Sequence, residues 1–181
     1  KGTTSFTGLE ATVGNAQLVG VSGVDVRIGG TIRLNATSVA GGPRIDWSVA
    51  TNATNDPNGL IPALTLNSTQ ELQASGNASL NIGGNVVAVV TTLTLDMATA
   101  NVVTGNTAIV GLGATPGTIE GARVLSFTIS GASLFAGTGG ALSADRSTVV
   151  TTGATGFSVT GASLALATVS KGTTSFTGLE A

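Results

Sequence analysis

The chain of 181 residues has a net charge of −2 and contains no cysteine, histidine or tyrosine, and only 9 per cent of its residues are charged. Its seven basic residues are interspersed with acidic ones, which excludes the clustered positive charge that nucleic acid binding requires. The lack of histidine and cysteine also excludes disulfides, the common catalytic pairs and transition-metal clusters, so we expect no enzyme, no cofactor and no metal site.

Alternation of apolar and polar residues with a period of two predicts strands along most of the chain. Glycine recurs throughout, and valine and threonine lose rotamer freedom in helices, so helices are disfavoured. Polar, turn-rich segments at 50–60 and 111–118 predict loops. The predicted fold class is therefore all-β, with strands at 24–28, 31–35, 44–49, 64–67, 79–82, 92–96 and 127–130.

Ser-Gly or Thr-Gly pairs at 22–23, 75–76, 130–131 and 160–161 predict corners, because glycine readily adopts positive φ. Their spacing favours a β-solenoid-like tandem repeat of about 170 residues, with about six coils in each period. The alternative is a β-sandwich domain array with two domains per period. An aromatic content of 3 per cent favours the solenoid, since stacked coils need no large aromatic core. The side chains expected to point inward are Ile28, Ile32, Leu34, Leu80, Ile82, Leu93, Leu95, Ile129, Leu134, Val159 and Leu164.

An internal repeat gives the clearest signal of organisation. Residues 1–11, KGTTSFTGLEA, recur letter for letter as residues 171–181. The repeat predicts that 1–170 form one unit and that 171–181 begin the next, identical unit, as in arrays that build fibres and scaffolds. We expect Phe6 and Phe176 to be buried at unit junctions, with each unit pairing onto the next. The alternative is a donor-strand polymer, in which the second copy completes a neighbouring subunit.

Few residues suggest a ligand site, and each has a simple structural interpretation. Asp56-Pro57-Asn58-Gly59 resembles part of a calcium loop, but the sequence favours a β-turn. The glycine doublets at 29–30, 41–42, 83–84 and 139–140 lack the helix and lysine of a phosphate loop, so they also predict corners. Composition alone accounts for the number of glycosylation sequons, of which Asn52 lies in the predicted protruding loop. The sequons begin at Asn35, Asn52, Asn67 and Asn77.

Segments 11–36, 74–90 and 157–168 resemble repeat units of giant Gly/Ala/Thr/Val-rich bacterial surface or secreted proteins. The resemblance implies export, an extracellular or cell-surface location and a role as adhesin, matrix component or extracellular fibre. It transfers no functional residue, because the shared pattern is structural. No apolar stretch approaches the roughly 20 residues that span a bilayer, so we expect no membrane span.

We therefore expect a non-catalytic structural repeat of an extracellular fibre or giant cell-surface protein. Its expected partners are copies of itself, in end-to-end or lateral contact. The alternatives are an adhesin stalk or ligand-binding module, and a donor-strand-linked pilus-like subunit.

Overall fold

The fold is seen in a computed structural model that describes residues 3–181. Lys1 and Gly2, the first two residues of the repeated segment, lie outside this part of the chain. Almost all regular structure is β-strand, which confirms the all-β class. The elements are β1 (Phe6–Gln17), β2 (Val24–Thr37), α1 (Trp47–Ala50), β3 (Gln70–Ile82), β4 (Val86–Val103), β5 (Thr118–Thr138), β6 (Ala141–Leu142), β7 (Val149–Val150), β8 (Thr155–Lys171) and β9 (Thr174–Glu180).

Seven of the strands form one antiparallel sheet in the order β1-β2-β3-β4-β5-β8-β9, and β6 and β7 form a separate short hairpin. Tight turns permit this meander, as between β3 and β4, where Gly83 and Gly84 both have positive φ and Asn85 N donates to Ile82 O at 2.9 Å. Neither solenoid coils nor two packed sandwich sheets are present in residues 3–181. Neighbouring strands lie side by side within one layer.

The predicted corners explain this difference from the sequence-based expectation. Gly23 does turn the chain between β1 and β2, with φ of +76°. Gly131 and Gly161 instead lie inside β5 and β8, with φ of +63° and +69°, where the register between these strands shifts. Gly76 likewise lies inside β3 beside a register shift. Glycine with positive φ accommodates a bulge without ending the strand, so Gly131 and Gly161 lie at bulges; β3 likewise continues through Gly76, whose φ is not positive.

The predicted strands at 79–82, 92–96 and 127–130 lie within β3, β4 and β5, whereas 24–28 and 31–35 are two parts of the single strand β2. The predicted strand at 44–49 is wrong because Asp46 caps α1, accepting a hydrogen bond from Val49 N at 3.2 Å. The segment 64–67 joins no strand ladder.

The two faces of the large sheet differ in chemistry. What we call the apolar face consists of the even-numbered residues 24–34 of β2 and the residues opposite them in the other strands. Apart from Thr168 and Thr177, every residue of this face is apolar or glycine, and none is charged. The opposite face, here the polar face, carries Asp, Glu, Arg, Asn, Gln, Ser and Thr.

All eleven side chains predicted to point inward lie on the apolar face, but no layer of the described chain covers that face. Ile28 is 55 per cent exposed, Ile32 50 per cent and Leu134 40 per cent, so their predicted burial is wrong for this unit. The physical reason is the course of the connections, which pack against the polar face.

The buried residues accordingly lie under those connections. Near one end of the sheet, the β6–β7 hairpin packs beside Phe135. Phe135 is 2 per cent exposed, and Val87 is fully buried. Near the other end, the segments 38–69 and 104–117 enclose Leu66 and Ile119. The hairpin and the two connecting segments thus cover both ends of the polar face, whereas the apolar face has no such layer over it in the part of the chain that the structure describes.

Candidate functional site

The two copies of the repeated segment form the two outer strands of the sheet. Residues 6–11 of the first copy lie in β1, and residues 174–180 of the second copy form β9. β1 pairs only with β2 and β9 only with β8, so each outer strand has one free edge. Because an even number of antiparallel steps separates them, β1 and β9 run in the same direction.

The register shows that the two copies also present the same faces. Residues directly opposite each other in antiparallel strands share a face, so a row followed across the sheet stays on one face. The row that begins at Ala11 ends at Leu179, and Leu179 is the repeat equivalent of Leu9. The row that begins at Glu10 ends at Gly178, the equivalent of Gly8. The first of these rows is Ala11, Ile32, Ala74, Leu95, Phe127, Leu166 and Leu179.

In each row, the residue in β9 is therefore equivalent to a position two residues before the residue in β1. A shift of two residues preserves the face, so β9 has the direction and the face assignment of β1. The edge of β9 that pairs with β8 corresponds to the free edge of β1. The free edge of β9 therefore corresponds to the edge through which β1 pairs with β2. The geometry makes β9 a suitable first strand for a following unit.

Phe6 and Phe176, the predicted junction residues, occupy equivalent positions in these outer strands. They lie on the polar face, opposite Thr37 and Val169 respectively. Their exposures are similar, 39 and 40 per cent, so neither is buried within this unit. Their burial at a junction between units stays a prediction.

A ladder of charged and amide groups crosses the polar face of the first four strands. Arg33 Nε donates to Glu10 Oε1 at 2.8 Å and Arg33 Nη1 donates to Gln73 Oε1 at 2.7 Å. Gln73 Nε2 donates in turn to Asp96 Oδ1 at 2.8 Å. The hydrogen bond from Arg33 is the main reason why the pKa of Glu10 is lowered. These groups satisfy one another, which favours a structural role.

A second polar cluster lies where the β6–β7 hairpin covers the sheet. A cavity of about 350 Å³ is lined there by Arg27, Asn77 and Asp145, among others. Arg146 Nε donates to Asp25 Oδ2 at 2.8 Å, and Arg146 has the left-handed φ of +61°. Arg27 Nε is buried without a hydrogen-bond partner, 3.8 Å from Asp25 Oδ1.

Asp145 keeps this cavity electrically balanced. The Ser143 and Ser147 hydroxyls donate to its carboxylate at 2.6 and 2.8 Å and lower its pKa to about 2. Arg27 and Arg146 thus face two carboxylates, which leaves no net charge. The cavity presents hydrogen-bonding groups suited to a small polar molecule.

The sequence-predicted sites are explained by local structure. Asp56 begins a turn, in which Gly59 N donates to Asp56 O at 3.0 Å. The carboxylate of Asp56 accepts from Leu60 N and Ile61 N at 3.0 and 2.7 Å. Asn52 lies in an exposed loop, as predicted, and its side-chain oxygen accepts from Thr54 N at 3.0 Å. Among residues 3–181 no group of three or more acidic side chains is placed to hold a metal ion.

Asn35 is a structural centre that the sequence analysis missed. It is 1 per cent exposed, and its amide nitrogen donates to Ile45 O and Asn67 O, both at 2.9 Å. Its side-chain oxygen accepts from Trp47 Nε1 at 2.9 Å. The sequence offered only a sequon here, yet the folded protein buries this amide and holds the 38–69 segment with it.

Comparison with protein-family models, curated proteins and solved structures finds no match to this chain. Within the described residues, helical structure is too short and too polar to cross a membrane.

Proposed function

We propose that this chain is a structural, non-catalytic repeat of an extracellular fibre or giant cell-surface protein, and that copies of it polymerise. One observation carries the proposal: identical segments form the two outer strands of one sheet, with the same direction and the same faces. A strand that ends one unit and begins the next would leave no free edge between units. Unpaired edges otherwise invite uncontrolled association, so a shared strand also protects the polymer.

In such an array each unit contributes six strands, β1 to β5 and β8, because β9 is the first strand of the following unit. Six strands at ~4.8 Å spacing advance the sheet by about 29 Å per unit. Six stacked solenoid coils, which the sequence favoured, would give the same length of about 29 Å per unit as these six strands of a continuous sheet.

The chemistry of the chain supports a structural role. The ladder from Glu10 to Asp96 joins strands and leaves its members mutually hydrogen-bonded. The extracellular location rests on the resemblance to secreted repeat proteins. The cavity beside Arg27 favours the second candidate, a ligand-binding or adhesin module. A donor-strand pilus-like subunit would use the same two edges without a covalent connection.

The test compares three proteins: the 181-residue chain, two units that share the repeated strand, and two complete 181-residue chains joined by a flexible linker. The third protein is the matched control, because it has two units but no shared strand. A shared strand makes neighbouring units unfold together, so the second protein should unfold in one transition with a urea m-value about twice that of the single chain. If it unfolds with the m-value and midpoint of the linked control, the units are independent domains and the proposal fails.

A further inference from the structure

The most unusual surface of this unit is the apolar face, which no described part of the chain covers. None of its residues is buried, and the long connections pack on the opposite side, except that residues 39–44 border one end of the face near Leu34, Leu72 and Met97. Seven strands at ~4.8 Å spacing and about ten residues at ~3.4 Å rise give the face an area of roughly 1,000 Å². The largest apolar patch of a typical monomer is about 300–600 Å². A face of this size requires a partner.

The area matches what a stable protein interface needs, since standard interfaces bury about 800 Å² on each partner. A charged border also lies at one end of the face. Glu71 bonds there to Arg44 at 2.5 Å and to Arg123 at 2.9 Å. An apolar centre with a polar border is the usual anatomy of a protein–protein interface.

The face has a groove on one side and a raised area on the other. The groove, about 400 Å³, lies between Ile28 and Ile32 over the facing glycines Gly30 and Gly76. A larger residue at either glycine would force the backbone to shift, because a Cβ on Gly30 would lie 2.3 Å from Ser75 O and one on Gly76 would lie 2.3 Å from Gly29 O. The raised area, across β4, is formed by large side chains of β5 and β8, including Phe127 and Leu164.

We propose that the apolar face packs against the apolar face of a second copy, about a two-fold axis that runs along β4. β4 is the central strand of the sheet, so this axis places β3 opposite β5 and β2 opposite β8. Each groove then receives the partner's raised area, as the interface of a two-fold dimer requires. The inference rests on the proposed function, in that the partner is another unit of the same fibre.

The register supports this axis in detail. When equivalent rows are aligned, Gly76 faces Ile129 of the second copy and Gly30 faces Leu164. In the next row Ala74 faces Phe127. In these two rows small residues therefore meet large ones next to the axis, which allows the two layers to interdigitate there at the usual ~10 Å separation.

Lipid is the competing occupant of such a face. Strand surfaces that contact lipid carry aromatic residues at both ends, where the membrane meets water. Here the aromatic residues are Phe127, near the middle of the face, and Phe157, at one end only. The matching of small and large residues across a two-fold axis also has no counterpart in a lipid surface.

Cysteine cross-linking tests the proposal, because the chain contains no cysteine of its own. Leu95 lies on β4 beside the proposed axis, so in L95C the two introduced thiols should meet across the interface. Disulfides can bridge packed sheets, as in immunoglobulin domains. Mild oxidation should yield a species of twice the 17.5 kDa chain mass. The matched control is T94C, the neighbouring residue on the polar face, which should give no such species.

A second pair of variants distinguishes loss of the interface from loss of the fold. Phe127→Lys places a charge on the apolar face, and Ser130→Lys places one on the exposed polar face of the same strand. Light scattering should show loss of the dimer for F127K and its retention for S130K, with the same β-sheet circular dichroism. Equal cross-linking of L95C and T94C, or a monomeric parent chain, would overturn the proposal. Binding of the uncross-linked chain to phosphatidylcholine vesicles would overturn it in favour of lipid.

The outcome is separable from that of the proposed function. If L95C fails to cross-link while two units sharing a strand still unfold as one, the face pairing is wrong and the shared strand stands. If L95C cross-links while shared units unfold independently, the face pairing stands without the continuous sheet.

Discussion

Replacing Asn35 with alanine should destabilise the unit more than any other single removal of a polar side chain from the polar face. The side chain is 1 per cent exposed and makes three hydrogen bonds, to Ile45 O, to Asn67 O and from Trp47 Nε1. Three bonds at about 1 kcal/mol each give a loss of about 3 kcal/mol, and the buried partners left unsatisfied raise it to about 5 kcal/mol. For a chain of this length, a loss of 3 kcal/mol corresponds to a fall in Tm of roughly 10 °C.

Urea unfolding followed by the fluorescence of Trp47 measures this loss directly, because Trp47 is the single tryptophan and a partner of Asn35. The folded variant should also show altered Trp47 emission before unfolding begins. The control is Asn77→Ala, an exposed asparagine on the same face, which should change the unfolding free energy by less than about 0.5 kcal/mol. A loss below about 1 kcal/mol for Asn35→Ala, with unchanged emission, would refute the assigned role.

Two further predictions concern backbone approach and acid stability. Gly30→Ala should lower the free energy of unfolding in urea by about 1–3 kcal/mol, because its Cβ would lie 2.3 Å from Ser75 O. The control Gly14→Ala, which has open space around it, should be nearly neutral. Equal effects of the two substitutions would contradict the close approach at Gly30. In the folded protein the pKa of Glu10 is lowered from its ordinary value of 4.5, and that of Asp145 is lowered from 3.8 to about 2. The stability that these two carboxylates add is therefore complete above their ordinary pKa values and is lost as the pH falls toward 2. Urea midpoints should therefore fall between pH 5 and 2, and less steeply in Asp145→Asn; an identical slope would count against the role of Asp145.

The sequence predicted the strand class and the shared face well, because both depend on local alternation. The residues from Ile28 to Leu164 that were expected to share a face do so. Their burial could not be predicted from alternation, because an apolar stripe shows that a face needs covering and not which part of the chain covers it. Here the connections cross the polar side, where Asn35 and Trp47 hold them.

The course of the chain was harder to predict for a related reason. Glycine at Gly131 and Gly161 allows positive φ, but the same conformation serves a corner between strands and a bulge within one. Only the pairing of β5 with β8 decides between them, and pairing is a long-range property. The polar cluster of Asp25, Arg27 and Arg146 could not be predicted for the same reason, since Arg27 and Arg146 are 119 positions apart in the sequence.

The advance per unit in arrays of two, three and four tandem units tests the continuous sheet most directly. Electron microscopy of single arrays should show an increase of about 29 Å per added unit along the sheet, the width of six strands at ~4.8 Å spacing. An increase of roughly 40 Å or more, as for separate sandwich domains joined end to end, would contradict the shared strand.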